Sequence, residues 1–378
     1  MKRIIISGGG TGGHIFPAIS IANKLVETVE GVDILFVGAK DRMEMERVPA
    51  AGYPIEGLWI SGFQRSLSLR NLSFPFKVIA SMFRANRIIN SFNPDLVIGV
   101  GGYASGPMLH AAASKGIPTM IQEQNSYAGV TNKLLGRKVD TICVAFDGMG
   151  KFFPKDKIVL TGNPIRKDIL NLQHSAEDAR KQLGLENKKT LLAMGGSLGA
   201  RSINMGIRSG AKEMVDAGIQ IIWQTGTAFF DEAVQFVQHE KLADEIKVFD
   251  FIADMDKAYS AADTIVSRAG AIAISEICCV GKPSILVPSP YVAEDHQTKN
   301  AKALSDNDAA LLVIDGESNR LGQVINELFD DPMRMEQLSK NVAALAQRDA
   351  AKKIVAEAIK RFVSWGWGNW YERPGEVL

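Results

Sequence analysis

Cysteine is scarce in this chain of 378 residues: Cys143, Cys278 and Cys279 are the three present, lacking zinc-site spacing and too few for a disulfide framework. They read as small buried apolar residues of a protein in a reducing compartment. An excess of charge of either sign is missing as well, since 43 basic residues meet 42 acidic ones for a formal charge of +1. Without a global basic field nothing holds a nucleic-acid backbone, so nucleic acid is not expected as a partner and any anion recognition must be local. Long apolar runs are also lacking. Ala309 to Ile314 is typical of the longest, far below the ~18 residues that a membrane span takes. Met1-Lys2-Arg3 is followed by only three isoleucines before Ser7 and a glycine run, too little for the apolar core of a signal peptide, so a cytoplasmic chain is expected. What remains, 46% hydrophobic and 22% charged residues over a length that suits two domains, is the composition of a globular protein.

Glycine, by contrast, is plentiful, and the densest clusters of its 35 residues follow short β-branched runs. Lys2 to Ser7 reads as a buried strand, Gly8 to Gly13 as a tight turn, and Ile15 to Val29 as an amphipathic helix with apolar Ile19, Ala22, Leu25 and Val26. Further short strands are predicted at Ile34 to Val37, Leu96 to Ile98, Thr119 to Ile121 and Thr141 to Val144, with room for crossover helices between them. At Thr190 the pattern restarts with Leu191 to Met194, the turn Gly195 to Gly199 and a helix from Ala200, followed by strands at Ile219 to Gln224, Ile246 to Phe249, Thr264 to Val266, Ser284 to Val287 and Ala310 to Val313. The fold class expected is α/β, with two doubly wound, Rossmann-like parallel-sheet domains facing across a cleft, where the carboxyl ends of the strands open. Residues 1–163 form the first domain and 164–345 the second, linked through Gly162-Asn163-Pro164-Ile165-Arg166. Residues 346–378 form a helix and tail that pack back on the first domain, and the tryptophan-rich stretch Trp365 to Tyr371 is a further candidate for contact with lipid headgroups.

Gly8, Gly10 and Gly13 spell the G-x-G-x-x-G pattern of dinucleotide sites. A nicotinamide site also needs an acid at the end of the second strand, and here that strand ends Val37-Gly38-Ala39-Lys40, with Asp41 arriving late. No cofactor is therefore expected. Two more glycine loops, Gly99 to Gly106 and Gly195 to Ala200, also follow strands and open helices. A ligand bearing a diphosphate uses all three, because glycine lets backbone approach closely and helix N-termini favour anions.

Gly8-Gly9-Gly10-Thr11-Gly12-Gly13-His14, Gly101-Gly102-Tyr103 with Ser105-Gly106-Pro107, Glu123-Gln124-Asn125, Gly162 to Arg166, Gly195-Gly196-Ser197 with Gly199-Ala200-Arg201, and Arg268-Ala269-Gly270-Ala271 with Ser275-Glu276 closely resemble, in order, one family. It is the bacterial UDP-N-acetylglucosamine:N-acetylmuramyl-(pentapeptide) pyrophosphoryl-undecaprenol N-acetylglucosamine transferase (MurG) family, whose fold is GT-B. The resemblance implies inverting transfer of N-acetylglucosamine from UDP-N-acetylglucosamine to the 4-hydroxyl of the muramoyl sugar of undecaprenyl-linked lipid I, giving lipid II for peptidoglycan, at the cytoplasmic face of the plasma membrane. It further implies a donor site in the second domain and an acceptor site in the first.

Inversion needs a base for the acceptor hydroxyl and positive charge for the departing diphosphate. His14 matches the family's loop histidine and is a candidate base, with Glu123 as the alternative. Thr11, Gly12, Gly13 and Asn125 match substrate-binding positions. Ser197 and the loop amides match the diphosphate site, to which Arg166 adds fixed charge, so no metal is needed; Asp254-Met255-Asp256 reads as the acidic start of a helix. The family match gives Ile252 a backbone contact with uracil, Glu276 the ribose hydroxyls, Ala271, Ile272 and Ala273 backbone contacts near the nucleotide, and Gln297, beside His296, the sugar. Glu276 is expected at the start of its helix.

The segment from Leu72 to Phe92 addresses the lipid acceptor. At ~100° per residue Phe76, Val78, Ile79, Met82, Phe83, Ala85, Ile89 and Phe92 span an arc of about 200°, with Lys77, Arg84 and Arg87 on the opposite side. Part of the arc is expected to enter an anionic membrane surface. A hydrolysing UDP-N-acetylglucosamine 2-epimerase and a non-catalytic nucleotide-sugar-binding subunit are the alternative functions.

Overall fold

The structure, a computed structural model, describes residues 2–61, 74–196, 198–292 and 295–368, with side chains as far as 362. Contacts divide the chain into two units, one holding the chain up to Ile165 together with that from Asp349 onward, the other Arg166–Arg348.

The first unit is built on β1 (Arg3–Ser7), β2 (Asp33–Ala39), β3 (Ile55–Leu58), β4 (Leu96–Gly99), β5 (Thr119–Glu123), β6 (Thr141–Val144) and β7 (Ile158–Leu160), in the order β3-β2-β1-β4-β5-β6-β7. All neighbours run parallel. The strands are apolar almost throughout because both faces are covered, and their alternation sorts side chains between two cores. Ile5, Leu35, Val37, Val97 and Ile121 face one core, whereas Ile4, Ile6, Ile34, Phe36, Leu96 and Ile98 face the other. The second core also takes Ile21 and Leu25 of helix Gly12–Thr28 and Ile354, Val355, Ala358 and Phe362 of helix Ala350–Gly368, which thus returns to this unit.

The second unit repeats the plan with β8 (Lys189–Met194), β9 (Ile219–Gln224), β10 (Ile246–Phe249), β11 (Thr264–Ser267), β12 (Ser284–Leu286) and β13 (Leu311–Leu312), in the order β10-β9-β8-β11-β12-β13. In each sheet the strand order reverses beside the first strand, between β1 and β4 and between β8 and β11. That is where ligands of such sheets bind, at the carboxyl ends. All three cysteines are buried, and burial pushes the thiols of Cys143 and Cys278 up to about 12, which makes them inert at neutral pH. Among the described residues no helix is long and apolar enough to cross a membrane.

Three expectations are corrected. Strands β3 and β7 have no counterpart in the sequence reading; both lie at edges of their sheet, and β3 is only half-buried with Glu56 and Gly57 inside it. The first helix begins at Gly12 rather than Ile15, because Thr11 takes an extended conformation and its carbonyl accepts from the N–H groups of both His14 and Ile15. In helix Phe74–Phe92 the expected arc divides: its Ala85 and Ile89 are buried together with Ser81 and Ile88, whereas Phe76, Ile79 and Phe83 are not. Phe76 and Phe83 are 70% and 74% exposed and Ile79 is 54% exposed. Arg84 and Arg87 are exposed beside them rather than across the helix. The expected tail contacts of Trp365 to Tyr371 lie outside the described side chains.

Candidate functional site

In the first unit the reversal point carries two glycine loops in backbone-to-backbone contact. Gly102 has φ +83°, and a Cβ there would stand 2.4 Å from the Gly9 carbonyl oxygen, so neither the conformation nor the space admits another residue. The first loop is pinned by a carboxylate absent from the sequence reading. Glu44, 1% exposed, accepts from Gly10 N–H at 2.8 Å through Oε2 and from Ala39 N–H at 2.9 Å through Oε1. The acid near the end of β2 is therefore committed to the protein's own backbone, while Asp41 is exposed. This is a physical reason for the poor fit to a nicotinamide ribose.

His14 stands in the first turn of helix Gly12–Thr28, its Nδ1 3.0 Å from the Gly9 carbonyl oxygen. A carbonyl only accepts, so Nδ1 carries the proton and Nε2 holds the lone pair of the neutral ring. The Nε2 edge lies over Gly101, where a Cβ would come within 2.8 Å of it. Thr11 and Gly13 are exposed and Gly12 half-buried at the same helix start, which has neither a side-chain cap nor an acid in its first turn.

Glu123 lies at the end of β5, 1% exposed. Its Oε1 accepts from the backbone N–H and the side-chain amide of Asn125 at 3.1 and 3.3 Å, and its Oε2 from Gly129 N–H and the Asn132 amide at 3.0 and 2.9 Å. Four donors on one buried carboxylate hold the loop that carries Asn125. Buried amides extend the network: Gln124 donates to the Val100 carbonyl at 2.7 Å, Gln122 to Asn163 Oδ1 at 2.9 Å, and Asn163 to the Gln124 carbonyl at 3.0 Å. Three separated motifs of the sequence, around Gly101, Glu123 and Asn163, thereby form one rigid assembly.

In the second unit the loop Gly195 to Ala200 packs against the chain leaving β9. Gly199, at φ +75°, would place a Cβ 2.0 Å from the Thr225 carbonyl oxygen. Gln224, 4% exposed, ties this loop to the next strand connection: its Nε2 donates to the Gly196 carbonyl at 3.1 Å and its Oε1 accepts from Ile252 N–H at 2.9 Å. Ser197 lies outside the described residues.

Helix Ala271–Val280 starts with Ala271, Ile272 and Ala273 and has no acid in its first turn. Glu276 stands in its second turn, not at its start, and is buried. Tyr259 O–H donates to its Oε2 at 3.0 Å, and Arg166 Nε lies 3.9 Å from its Oε1. Burial raises the Glu276 pKa, and Arg166 and the Tyr259 hydrogen bond pull it back. Gln297 uses its Oε1 to accept from Ser289 N–H at 2.8 Å, one residue after His296 opens its helix. Asp254 is paired with Lys257 at 2.9 Å and Asp256 lies 3.6 Å from His174. Arg268 donates to the Val287 carbonyl and Ser202 Oγ at 2.9 Å each and pairs with Asp315, which ties the end of β11 to its neighbours.

The chain has clear relatives. The sequence matches the glycosyltransferase family 28 N-terminal domain over residues 4–144 and the family 28 C-terminal domain over residues 190–354. The chain belongs to glycosyltransferase family 28. It is 56% identical, over 93% of its length and 95% of the relative's, to the UDP-N-acetylglucosamine--N-acetylmuramyl-(pentapeptide) pyrophosphoryl-undecaprenol N-acetylglucosamine transferase of Cytophaga hutchinsonii. Its fold matches the crystal structure of Acinetobacter baumannii MurG with TM-score 0.74 at 31% identity, covering 95% of this chain and 100% of that one. A UDP-N-acetylglucosamine 2-epimerase structure matches with TM-score 0.67 at 15% identity over the full length of both, which is a likeness of fold.

Within this family 28 chain the residues that sequence reasoning missed are Glu44, Gln224 and Tyr259. Each acts from a different element than the residue it holds.

Proposed function

We propose that the chain is an inverting glycosyltransferase that moves N-acetylglucosamine from UDP-N-acetylglucosamine to the 4-hydroxyl of the muramoyl sugar of undecaprenyl-linked lipid I, forming lipid II. The observation that carries this reading is 56% identity to a transferase of that name across nearly all of both chains. The site chemistry agrees with it. In the first unit His14 offers Nε2 to take the proton of the attacking hydroxyl, and the Gly9 carbonyl stabilises the imidazolium through Nδ1–H. Glu123, saturated by four donors, is assigned a positioning role for Asn125 rather than that of base.

In the second unit Glu276 accepts the ribose hydroxyls. Because Gln224 already holds the Ile252 N–H, the uracil contact falls to the Ile252 carbonyl, which suits the N3–H of the base. The loop amides at Gly195 and Gly196, with Ser197, the first turn Ala271 to Ala273 and the Arg166 guanidinium, receive the diphosphate as it leaves, while the Gly199 N–H closes the loop on the Gly196 carbonyl at 3.0 Å. Thr11, Gly12 and Gly13 in the first unit, and Gln297 in the second, are each assigned to substrate binding.

The membrane carries the acceptor, and the exposed Phe76, Ile79 and Phe83, with Arg84 and Arg87 among them, form the face assigned to it, as a peripheral contact with anionic lipid at the cytoplasmic leaflet. Incubation of purified protein with UDP-N-acetylglucosamine and a lipid I analogue tests the whole reading. The disaccharide product is expected. Release of N-acetylmannosamine without acceptor would instead establish the epimerase.

A further inference from the structure

We propose that Tyr259 is a positioning residue for nucleotide binding, its hydroxyl holding one carboxylate oxygen of Glu276 so that the other is presented to the ribose. The proposal rests on the ribose role given to Glu276 above.

Tyr259 comes from helix Met255–Ala261 and is 0% exposed. A phenol wholly removed from water needs a hydrogen-bond partner, and its O–H finds the Glu276 Oε2 at 3.0 Å. Burial and the adjacent Glu276 charge push the phenol pKa well above its ordinary value, so it stays a donor at every working pH. Arg166 Nε, 3.9 Å from Oε1, is too far for a hydrogen bond and biases that oxygen without saturating it. The terminal torsion of a glutamate is broad and two-fold, so nothing intrinsic distinguishes its oxygens. The Tyr259 bond does so here.

The same bond keeps the carboxylate charged. The groups acting on Glu276 are Arg166 and Asp168 on either side of the start of helix Lys167–Leu170, Tyr259 from its own helix, and Cys279 on the helix of Glu276 itself. Burial and Asp168 favour the neutral acid, whereas Arg166 and Tyr259 favour the anion. A carboxylate accepts from two ribose hydroxyls and a protonated carboxyl does so poorly, so UDP affinity falls as pH drops through the Glu276 pKa. Loss of the Tyr259 donor raises that pKa further and moves the fall to higher pH.

The test is calorimetric titration of the full chain with UDP from about pH 5 to about pH 9, in wild type, Tyr259→Phe and Glu276→Gln. Tyr259→Phe is expected to move the acid limb upward by about one pH unit and to regain wild-type affinity within about threefold at the alkaline end. Glu276→Gln is expected to bind at least about tenfold more weakly and to keep only the limb that the UDP terminal phosphate itself gives near about pH 6, which the Tyr259 variants leave in place. Site-specific Tyr259→meta-fluorotyrosine, which keeps ring and hydroxyl and strengthens the donor, moves the limb the other way and serves if Tyr259→Phe folds poorly. An unmoved limb in both Tyr259 variants, with Glu276→Gln weak, overturns the proposal alone. Wild-type affinity in Glu276→Gln overturns the ribose assignment together with it.

Discussion

Replacement of Glu44 by glutamine changes one atom of consequence, and its effect follows from the geometry of the first glycine loop. The carboxylate accepts from Gly10 N–H and Ala39 N–H, one on each oxygen. A glutamine keeps one acceptor and turns an NH2 group toward the other N–H. One charge-assisted hydrogen bond is lost, about 1.5–3 kcal/mol, and one buried N–H is left without a partner, about 1–3 kcal/mol, against which stands the relief of taking a charge out of a buried site. A net loss of roughly 2–4 kcal/mol is expected, and a fall of several degrees in the melting temperature of the first unit. Gly10 is adjacent to Gly9, whose carbonyl orients His14, so a displaced loop also displaces the base. Turnover should drop at least about tenfold, as a shift near 1 Å in a positioned group costs up to about 10². UDP binding should not change, because Glu44 belongs to the other unit. Differential scanning calorimetry, steady-state assay and UDP titration measure the three effects, and exposed Glu46→Gln on the same short helix is the control. Normal melting and turnover in Glu44→Gln would refute the argument that this carboxylate sets the loop.

Two further outcomes are expected. His14→Ala should lose about 10² to 10⁴ in turnover with UDP affinity unchanged, and near-normal turnover would return the role of base to Glu123. Replacing the exposed Phe76 and Phe83 with serine, and Arg87 with glutamate, should weaken binding to anionic vesicles while melting temperature and UDP binding stay put; unchanged vesicle binding would place the membrane contact elsewhere.

Most of the fold was legible because its signals are local. Ile4-Ile5-Ile6 followed directly by a glycine turn and a helix start is a strand, a turn and a helix within one short stretch, and the same grammar recurs at Leu191. The edge strands of the first sheet, β3 and β7, were not legible for the converse reason. The three residues of β7 are half-exposed or exposed, and three residues too short and too wet for a pattern take their pairing from β6. Helix Phe74–Phe92 misled for a third reason. It packs against helix Ser105–Ser114, with Ala85, Ile88 and Ile89 in one core with Met108 and Ala112, Ser81 donating to the Trp59 carbonyl at 3.0 Å, and Phe76 and Phe83 left outside. A hydrophobicity arc does not say which large apolar groups of the helix are inside, and here Ile88 and Ile89 are while Phe76, Ile79 and Phe83 are not.

The site divides along the same line. Residues within or beside the sequence motifs, such as His14, Glu123 and Glu276, could be proposed from motif positions, whereas the anchors of these motifs are distant in sequence. Glu44 lies 34 residues from Gly10, Gln224 lies 28 from both Gly196 and Ile252, and Tyr259 lies 17 from Glu276. Such pairings are set by strand order, which single-residue patterns do not contain.

The two anchors differ in charge, and the difference is informative. The first loop rests on a carboxylate and the second on a neutral amide. A loop that receives a diphosphate has reason to avoid a buried anion beneath it, which fits assignment of the donor phosphates to the second loop. Gln224→Glu tests this with little change of shape. The new carboxylate still accepts from Ile252 N–H, but it meets the Gly196 carbonyl without a proton to offer and adds a negative charge below the phosphates. At about 6 Å and an effective dielectric near 20, repulsion between the two charges is ~2–3 kcal/mol, or roughly 30- to 150-fold in affinity. Uridine, which lacks the phosphates, feels only the strained Gly196 contact. UDP affinity is therefore expected to fall by about that factor while uridine affinity falls much less, as read by competition titration against a fluorescent nucleotide sugar. An equal loss for both ligands would mean that Gln224 shapes the base pocket alone, and that the diphosphate lies away from the loop at Gly196.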